Sequence, residues 1–168
     1  MDTIKLKGIL WEDVVNYKKI STTLMFPNCT FKCEKECGKK ICQNSPLVNE
    51  KDIVINMNTI IDRYINNPLT EAIVCQGLEP FDSEDELLML IMLFREKCSD
   101  DIVIYTGYTF EELYEKQIIQ KLRYIKIKTP NKIILKLGRY IPDSNSKYDE
   151  LLGVTLASDN QYAMEITI

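Results

Sequence analysis

The sequence predicts an α/β fold: a partial (β/α) barrel, in which an open, curved parallel sheet carries helices on its outside. Short apolar runs rich in β-branched residues alternate along the chain with segments of helical spacing, and this alternation is typical of parallel sheets. The chain has 168 residues, enough for one domain with its own core but too few for a complete barrel. Because neither repeats nor a linker interrupt the pattern, we predict a single domain over residues 1–168.

The first predicted elements surround a cysteine-rich loop. Residues 20–26 are β-branched and apolar, which predicts a strand. The cysteine loop follows over residues 28–46. Residues 59–65 carry apolar side chains at helical spacing, and residues 71–75 are predicted to form the next buried strand.

Two later helices begin at recognisable caps. Ser83 is predicted to cap a helix that runs to about Lys97, with three acidic residues in its first turn, where the helix dipole favours negative charge. A buried strand is predicted over 102–105. Thr109 then begins another helix, and Glu112 completes a capping box with it.

The last third of the chain is less regular. Residues 124–128 and 133–137 are both predicted to be strands, and an apolar stretch covers 151–156. In parallel sheets, ligands bind where strands end and lead into helices. The cysteine loop, the turn at 76–80 and the pair Thr106-Gly107 each follow a predicted strand, so we expect these three segments to meet at one edge of the sheet.

Composition excludes several classes of function. The net charge of -4 does not favour nucleic-acid binding, and the longest apolar run, 87–94, is too short to cross a bilayer. The first eight residues lack the apolar core of a signal peptide, so we expect a cytoplasmic protein without nucleic-acid or membrane partners. The chain has no histidine, which removes histidine-based acid–base catalysis and cysteine–histidine dyads.

Cysteines are the most informative residues. Cys75 and Cys98 lie in or beside apolar segments and are expected to act as small buried hydrophobes. In a reducing compartment, clustered thiols indicate metal ligands rather than disulfides. Their spacing alone suits a zinc site and an iron–sulfur cluster equally well. Four of the six cysteines fall within fourteen residues: Cys29, Cys33, Cys37 and Cys42.

Together with the later turns, these residues resemble the radical S-adenosylmethionine superfamily, and within it the small activating proteins of anaerobic ribonucleotide reductase. Ile41-Cys42-Gln43-Asn44 matches the apolar residue before the family's third cysteine and the Asn two positions after it. The resemblance implies that Cys29, Cys33 and Cys42 hold a 4Fe-4S cluster, with Cys37 as the alternative third ligand. The gap between the second and third ligands is longer than the family's usual two residues.

The turn Gln76-Gly77-Leu78-Glu79-Pro80 resembles the family's Gly-Gly-Glu-Pro motif, which binds the amino group of S-adenosylmethionine. The resemblance implies that Gln76, Gly77 and Glu79 bind this cofactor. Glycine permits a close backbone approach, and glutamate is an anionic acceptor for an ammonium group. Leu78 stands where the family usually has a second glycine.

Two further cofactor contacts follow from the resemblance. Residues 102–113 are similar to a stretch typical of the reductase activators, and Thr106 within it is expected to offer its hydroxyl to the cofactor. Ile41, the apolar residue before the third cysteine, is expected to make an apolar contact with the cofactor. The chain departs from the activators at 15–19, where they usually have a Gly-Pro-Gly loop, and at 137–140, where an Asp-Gly-Pro turn is expected.

The resemblance also implies the reaction. A low-potential electron donor reduces the cluster, S-adenosylmethionine is cleaved to methionine and a 5'-deoxyadenosyl radical, and that radical removes hydrogen from a glycine of a large protein substrate. This substrate is expected to be the catalytic subunit of anaerobic (class III) ribonucleotide reductase, and no catalytic side chain is expected. The alternatives are a different glycyl-radical enzyme or peptide as substrate, and a non-enzymatic zinc module that uses all four clustered cysteines.

Overall fold

The computed structural model describes residues 2–168; Met1, the first residue of the predicted domain, lies outside the described part. The strands are β1 Thr3–Leu6, β2 Gly8–Asp13, β3 Ser21–Phe26, β4 Ile53–Asn56, β5 Ala72–Gly77, β6 Asp101–Tyr105, β7 Ile133–Leu137, β8 Lys147–Asp149, β9 Val154–Leu156 and β10 Tyr162–Glu165. The helices are α1 Lys32–Cys37, α2 Met57–Ile65, α3 Glu84–Lys97, α4 Phe110–Glu115 and α5 Ile118–Lys128. Two short 3-10 helices cover Ser45–Asn49 and Pro80–Ser83.

A six-stranded sheet in the order β10-β7-β6-β5-β3-β2 forms the centre of the protein. Its four inner strands, β3, β5, β6 and β7, are parallel, whereas the edge strands β2 and β10 pair antiparallel with their neighbours. The sheet is open, because β2 and β10 do not pair with each other. The predicted α/β class, with an open sheet and flanking helices, is therefore confirmed.

The two faces of the sheet bury different partners. On one face, Ile73, Ile104 and Leu135 pack in the main core with apolar residues of α2 to α5. This burial is the principal favourable term for the fold. The opposite face has a smaller core, in which Val74 and Val103 are covered by a few side chains from loops and short strands, among them Tyr17, Leu152 and Leu156. All the long helices thus pack on one side, which leaves space for a cavity on the other.

Most predicted elements are present, but one strand prediction is wrong. Residues 124–128 form the end of helix α5. The apolar residues Ile118, Leu122 and Ile125 recur at helical spacing and are buried against the sheet. The helical pattern therefore begins before residue 124, outside the segment predicted to be a strand. Strands β1, β2, β4, β8, β9 and β10 were not predicted; they are the edge strands of the main sheet and the members of two small two-stranded sheets.

The cysteine loop contains regular structure that the sequence did not predict. Helix α1 spans Lys32–Cys37 and ends at Gly38, whose φ of 69° is left-handed. The predicted capping box of Thr109 with Glu112 is confirmed. Ser83 does lie at the N-cap of α3, but its hydroxyl accepts a hydrogen bond from Asn28 in the cysteine segment rather than from the helix backbone. Across residues 2–168, none of the helices combines the length and apolar character needed to cross a membrane.

Candidate functional site

The carboxyl ends of the four parallel strands meet at one edge of the sheet. The cysteine segment follows β3, the turn with Glu79 follows β5, Thr106-Gly107 follows β6 and Gly138-Arg139 follows β7. The first three segments were expected at this edge, and the fourth was not expected to belong to the site. This is the position at which open α/β sheets bind their ligands.

Three of the four clustered cysteines line one cavity of 140 Å³ at this edge: Cys29, Cys33 and Cys42. Cys37 does not line this cavity. It faces a neighbouring cavity, and its thiol lies 3.4 Å from the Lys39 carbonyl oxygen at the exposed end of α1. Cys33 borders this neighbouring cavity as well, so the structure places Cys37 outside the cavity that the other three thiols share.

Burial favours the protonated form of the three cavity thiols. Burial raises the pKa of Cys29 to about 11 and also raises those of Cys33 and Cys42, and Cys33 is further raised by the nearby Cys42. Within residues 2–168, no three cysteine or carboxylate side chains are already placed to hold one metal ion, so the thiols surround the cavity without ligating geometry. Metal binding would displace their protons.

The donor set fits an iron–sulfur cluster. Thiolates are the ligands that such clusters use, and three of them around a common cavity can each bind one iron. The backbone N–H of Phe31 already lies 3.2 Å from the sulfur of Cys29, the kind of hydrogen bond that tunes a cluster's potential. Phe31 has a φ of 54°, uncommon for a residue other than glycine, and it lies at the N-cap of α1.

Hydrogen bonds join the cysteine segment to the neighbouring strand ends. The backbone N–H of Thr30 donates to the carboxylate of Asp82 at 2.9 Å. The side-chain amide of Asn44 donates to the carbonyl oxygen of Gly77 at 2.7 Å. Asn44 was noted in the sequence only for its position after the third cysteine. In the structure it links the far side of the cysteine segment to the end of β5.

Glu79 is buried at the centre of the site, with 5% of its surface exposed. One carboxylate oxygen accepts hydrogen bonds from Phe81 N–H and from the Thr106 hydroxyl at 2.8 Å; the other accepts from Gly107 N–H at 2.8 Å. Burial raises the pKa of Glu79 to about 7, although these three donors lower it. Glu79 thus joins the ends of β5 and β6, and it also lines the thiol cavity.

The pKa of Glu79 predicts a pH-dependent stability. Between pH 4.5 and 7, the native state holds the Glu79 proton more tightly than the unfolded chain does, so the contribution of this group to stability falls as the pH rises through that window. The Glu79→Gln variant should lack this component. The difference in the free energy of unfolding between wild type and variant should therefore change by about 3 kcal/mol between the two ends of this pH range. Urea unfolding of the iron-free proteins at several pH values measures it. Identical pH profiles of stability in the two chains would contradict the assignment.

A second cavity, of 300 Å³, opens on the sheet face opposite the helices. It is lined by Gln76, Gly77 and Thr106, three of the residues expected to bind a cofactor. The two cavities are adjacent and share part of their walls, because six residues line both of them: Gln43, Asn44, Leu78, Gly107, Lys136 and Gln161. Ile41 is partly buried and lines neither cavity, so its expected cofactor contact stays a prediction.

Lys136 is a site residue that sequence reasoning missed. It lies on β7 beside Tyr105 of β6, and it lines both cavities. Its ammonium group contacts the Gly138 carbonyl oxygen and the Tyr105 ring, and among residues 2–168 no carboxylate pairs with it. Burial lowers its pKa to about 8. A lysine inside an otherwise apolar strand was the signal in the sequence.

The turn after β7 supplies a second cation. Arg139 lines the thiol cavity and donates to Glu112 at 2.6 Å, while Lys32 of α1 lies 3.6 Å from the same carboxylate. The hydrogen bond from Arg139 lowers the pKa of Glu112 to about 2. Gln161 supports this turn by donating to the Gly138 carbonyl oxygen, a contact between distant parts of the chain that no local pattern could predict.

Fold and site together define an α/β protein with a thiol-lined cavity at the carboxyl edge of its parallel strands. A family model described as a 4Fe-4S single cluster domain matches residues 18–149, which include all of these strand ends. The chain therefore belongs to the 4Fe-4S single cluster domain family. A search of curated proteins and a search of solved structures gave no significant match.

Proposed function

We propose that this iron–sulfur protein is a radical S-adenosylmethionine enzyme that activates a glycyl-radical partner. The observation that supports the proposal most strongly is the adjacency of the two cavities. One cavity presents Cys29, Cys33 and Cys42, the other presents Gln76, and Lys136 lines both. A cluster and an organic cofactor bound in them would lie next to each other, an arrangement that favours electron transfer between the two.

Three protein thiolates suffice for three irons of a 4Fe-4S cluster, which leaves the fourth iron to bind a cofactor. When bound, the cluster and S-adenosylmethionine together supply a 5'-deoxyadenosyl radical. Cys29, Cys33 and Cys42 hold the cluster, while Cys37, which faces away, is not needed.

The residues around the second cavity match the charges of S-adenosylmethionine. Lys136 supplies a cation without a carboxylate partner, suited to the cofactor's carboxylate. Gln76 offers both a donor and an acceptor at the cavity wall. The Thr106 hydroxyl donates a hydrogen bond to Glu79 and accepts one from Tyr108 N–H. In this proposal, the main contribution of Thr106 is to hold Glu79 in place, and a direct contact with the cofactor is secondary.

The protein substrate in this proposal is the catalytic subunit of anaerobic ribonucleotide reductase, with a low-potential protein as electron donor. The support is the resemblance of residues 102–113 to the reductase activators, together with an open approach to the second cavity. Val15, which lines that cavity, is 71% exposed, as an approach by a large partner requires. A different glycyl-radical enzyme or a peptide remains the alternative substrate.

The test is anaerobic reconstitution with iron and sulfide, followed by dithionite and S-adenosylmethionine, with 5'-deoxyadenosine measured by chromatography. We expect 5'-deoxyadenosine from the wild type and from the Cys98→Ala control, because Cys98 lines neither cavity. Lys136→Met should raise the concentration of S-adenosylmethionine needed for half-maximal cleavage by roughly tenfold or more. A wild type that holds a cluster and yields no 5'-deoxyadenosine would overturn the proposal.

The choice of protein substrate has a separate readout. Mixing the reconstituted protein with class III reductase should give the electron paramagnetic resonance signal of a glycyl radical. Cleavage of S-adenosylmethionine without this signal would favour the alternative substrate. A colourless protein that retains one zinc ion bound by all four clustered cysteines would instead support the zinc module, a reading that the position of Cys37 disfavours.

A further inference from the structure

The cysteine segment has to bring two thiols together across an unusually long gap. Residues 34–41 separate Cys33 from Cys42. The first half of the gap is taken up by α1, which continues past Cys33 to Cys37 and is capped by Gly38. The chain then reverses direction, and Cys42 returns to line the same cavity as Cys33. Such a return needs a contact that fixes the far end of the gap against its beginning.

Glu34 provides this contact. One oxygen of its carboxylate accepts hydrogen bonds from the backbone N–H groups of Ile41 at 3.1 Å and Cys42 at 2.9 Å. Glu34 directly follows Cys33 in the chain, so a single side chain connects the backbone beside one thiol to the backbone that carries the other. Both bonds are charge-assisted, which makes them stronger than bonds between neutral groups.

Cys37 has no comparable support. Its thiol contacts the carbonyl oxygens of Glu34 and Lys39, and it lies outside the cavity that Cys29, Cys33 and Cys42 share. The Glu34 contact therefore favours Cys42 over Cys37 as the partner of Cys33.

We propose that Glu34 is a positioning residue that closes the lengthened cysteine loop and holds Cys42 beside Cys33 for cluster binding. The inference rests on the proposed role of these thiols as cluster ligands. Glu34 acts through the backbone of Ile41 and Cys42, as outer-shell groups that orient metal ligands do. Loss of such groups lowers metal affinity by roughly 10- to 100-fold.

Two substitutions at Glu34 separate its hydrogen bonds from its charge. Glu34→Ala removes the acceptor, whereas Glu34→Gln keeps a carbonyl oxygen that can accept both bonds. Glu36→Ala is the matched control: it removes the same charge from the same helix, but its side chain is 62% exposed and does not contact the backbone of Ile41 or Cys42. Each variant is reconstituted anaerobically, and the rate at which a chelator removes iron is measured.

We expect Glu34→Ala to lose its cluster at least about tenfold faster than the wild type. Glu34→Gln and Glu36→Ala should stay within about threefold of the wild type, since one keeps the acceptor and the other leaves the loop contact untouched. Equal rates of iron loss for Glu34→Ala and Glu36→Ala would overturn the proposal. Failure of the wild type itself to take up iron and sulfide would instead overturn the cluster assignment on which it rests.

A second readout does not depend on the cluster. In the iron-free protein, the amide hydrogens of Ile41 and Cys42 should exchange slowly with solvent, because both are bonded to Glu34. In Glu34→Ala this protection should fall at least about tenfold, and in Glu34→Gln it should be largely retained. Unprotected amides at both positions in the wild type would show that the contact does not close the loop.

Discussion

Replacing Cys42 with alanine is expected to abolish cluster binding, whereas replacing Cys37 with alanine is expected to leave it intact. Cys42 lines the thiol cavity together with Cys29 and Cys33, while Cys37 faces a different cavity. A 4Fe-4S cluster that loses one of three protein thiolates lacks a ligand that no nearby residue replaces. The measurement is the content of iron and sulfide per chain after anaerobic reconstitution, together with the brown absorbance of the cluster.

The two variants control for each other, because each removes one thiol from the same segment and leaves three clustered cysteines. A cluster that survives in Cys42→Ala but is lost in Cys37→Ala would show that Cys37, and not Cys42, is the third ligand. Loss of the cluster in both variants would indicate a site with four cysteine ligands, and such a site would have no open iron for S-adenosylmethionine. Each outcome thus bears on the chemistry as well as on the ligand set.

Gly77→Ala should unfold much of the protein at moderate urea concentrations. Gly77 has a φ of 103°, and a Cβ at this position would lie 2.6 Å from the backbone nitrogen of Phe26. The obstruction is backbone of the neighbouring strand β3, which cannot move aside as a flexible side chain could. We expect a loss of roughly 3–5 kcal/mol in the free energy of unfolding. Urea unfolding followed by circular dichroism measures it.

Gly38→Ala is the matched control for this prediction. Gly38 also has a left-handed φ, of 69°, but nothing lies within 4 Å of the position that a Cβ would take. Its replacement should cost only the conformational penalty of about 1 kcal/mol. If both variants lost the same stability, the close contact between β5 and β3 would not be what requires glycine at position 77.

The sequence was sufficient to predict most, but not all, of the elements that build the main core. The parallel strands and α3 are specified by local runs of apolar residues, and the capping box at Thr109 is a local pattern as well. The strand expected at 124–128 was wrong because a short window of a buried helix resembles a strand. Its true period became visible only when Ile118 and Leu122 were counted with it.

The candidate site was likewise predicted only where a local pattern in the sequence marks its residues. Cys29 and Cys42 could be recognised by residue type and spacing, and the structure brings both to one cavity. Lys136 was marked only as a lysine inside an apolar strand, and Gln161 by no local pattern, because their importance arises from strand order and from a contact across the sheet edge. Glu79 was expected to face a cofactor. Its three internal hydrogen bonds show that it also holds the site together.

Helix α1 has a consequence for how such proteins can be recognised. Its residues after Cys33 lie between the second and third cavity thiols and displace Cys42 along the chain, yet Cys42 still returns to the cavity of Cys29 and Cys33. The interval between cysteines is therefore a poor criterion for this arrangement, since an inserted helical turn changes the interval and preserves the cavity. A pattern search that allows a variable interval, and requires a parallel strand before the first cysteine, would recover sequences that a fixed-interval search discards.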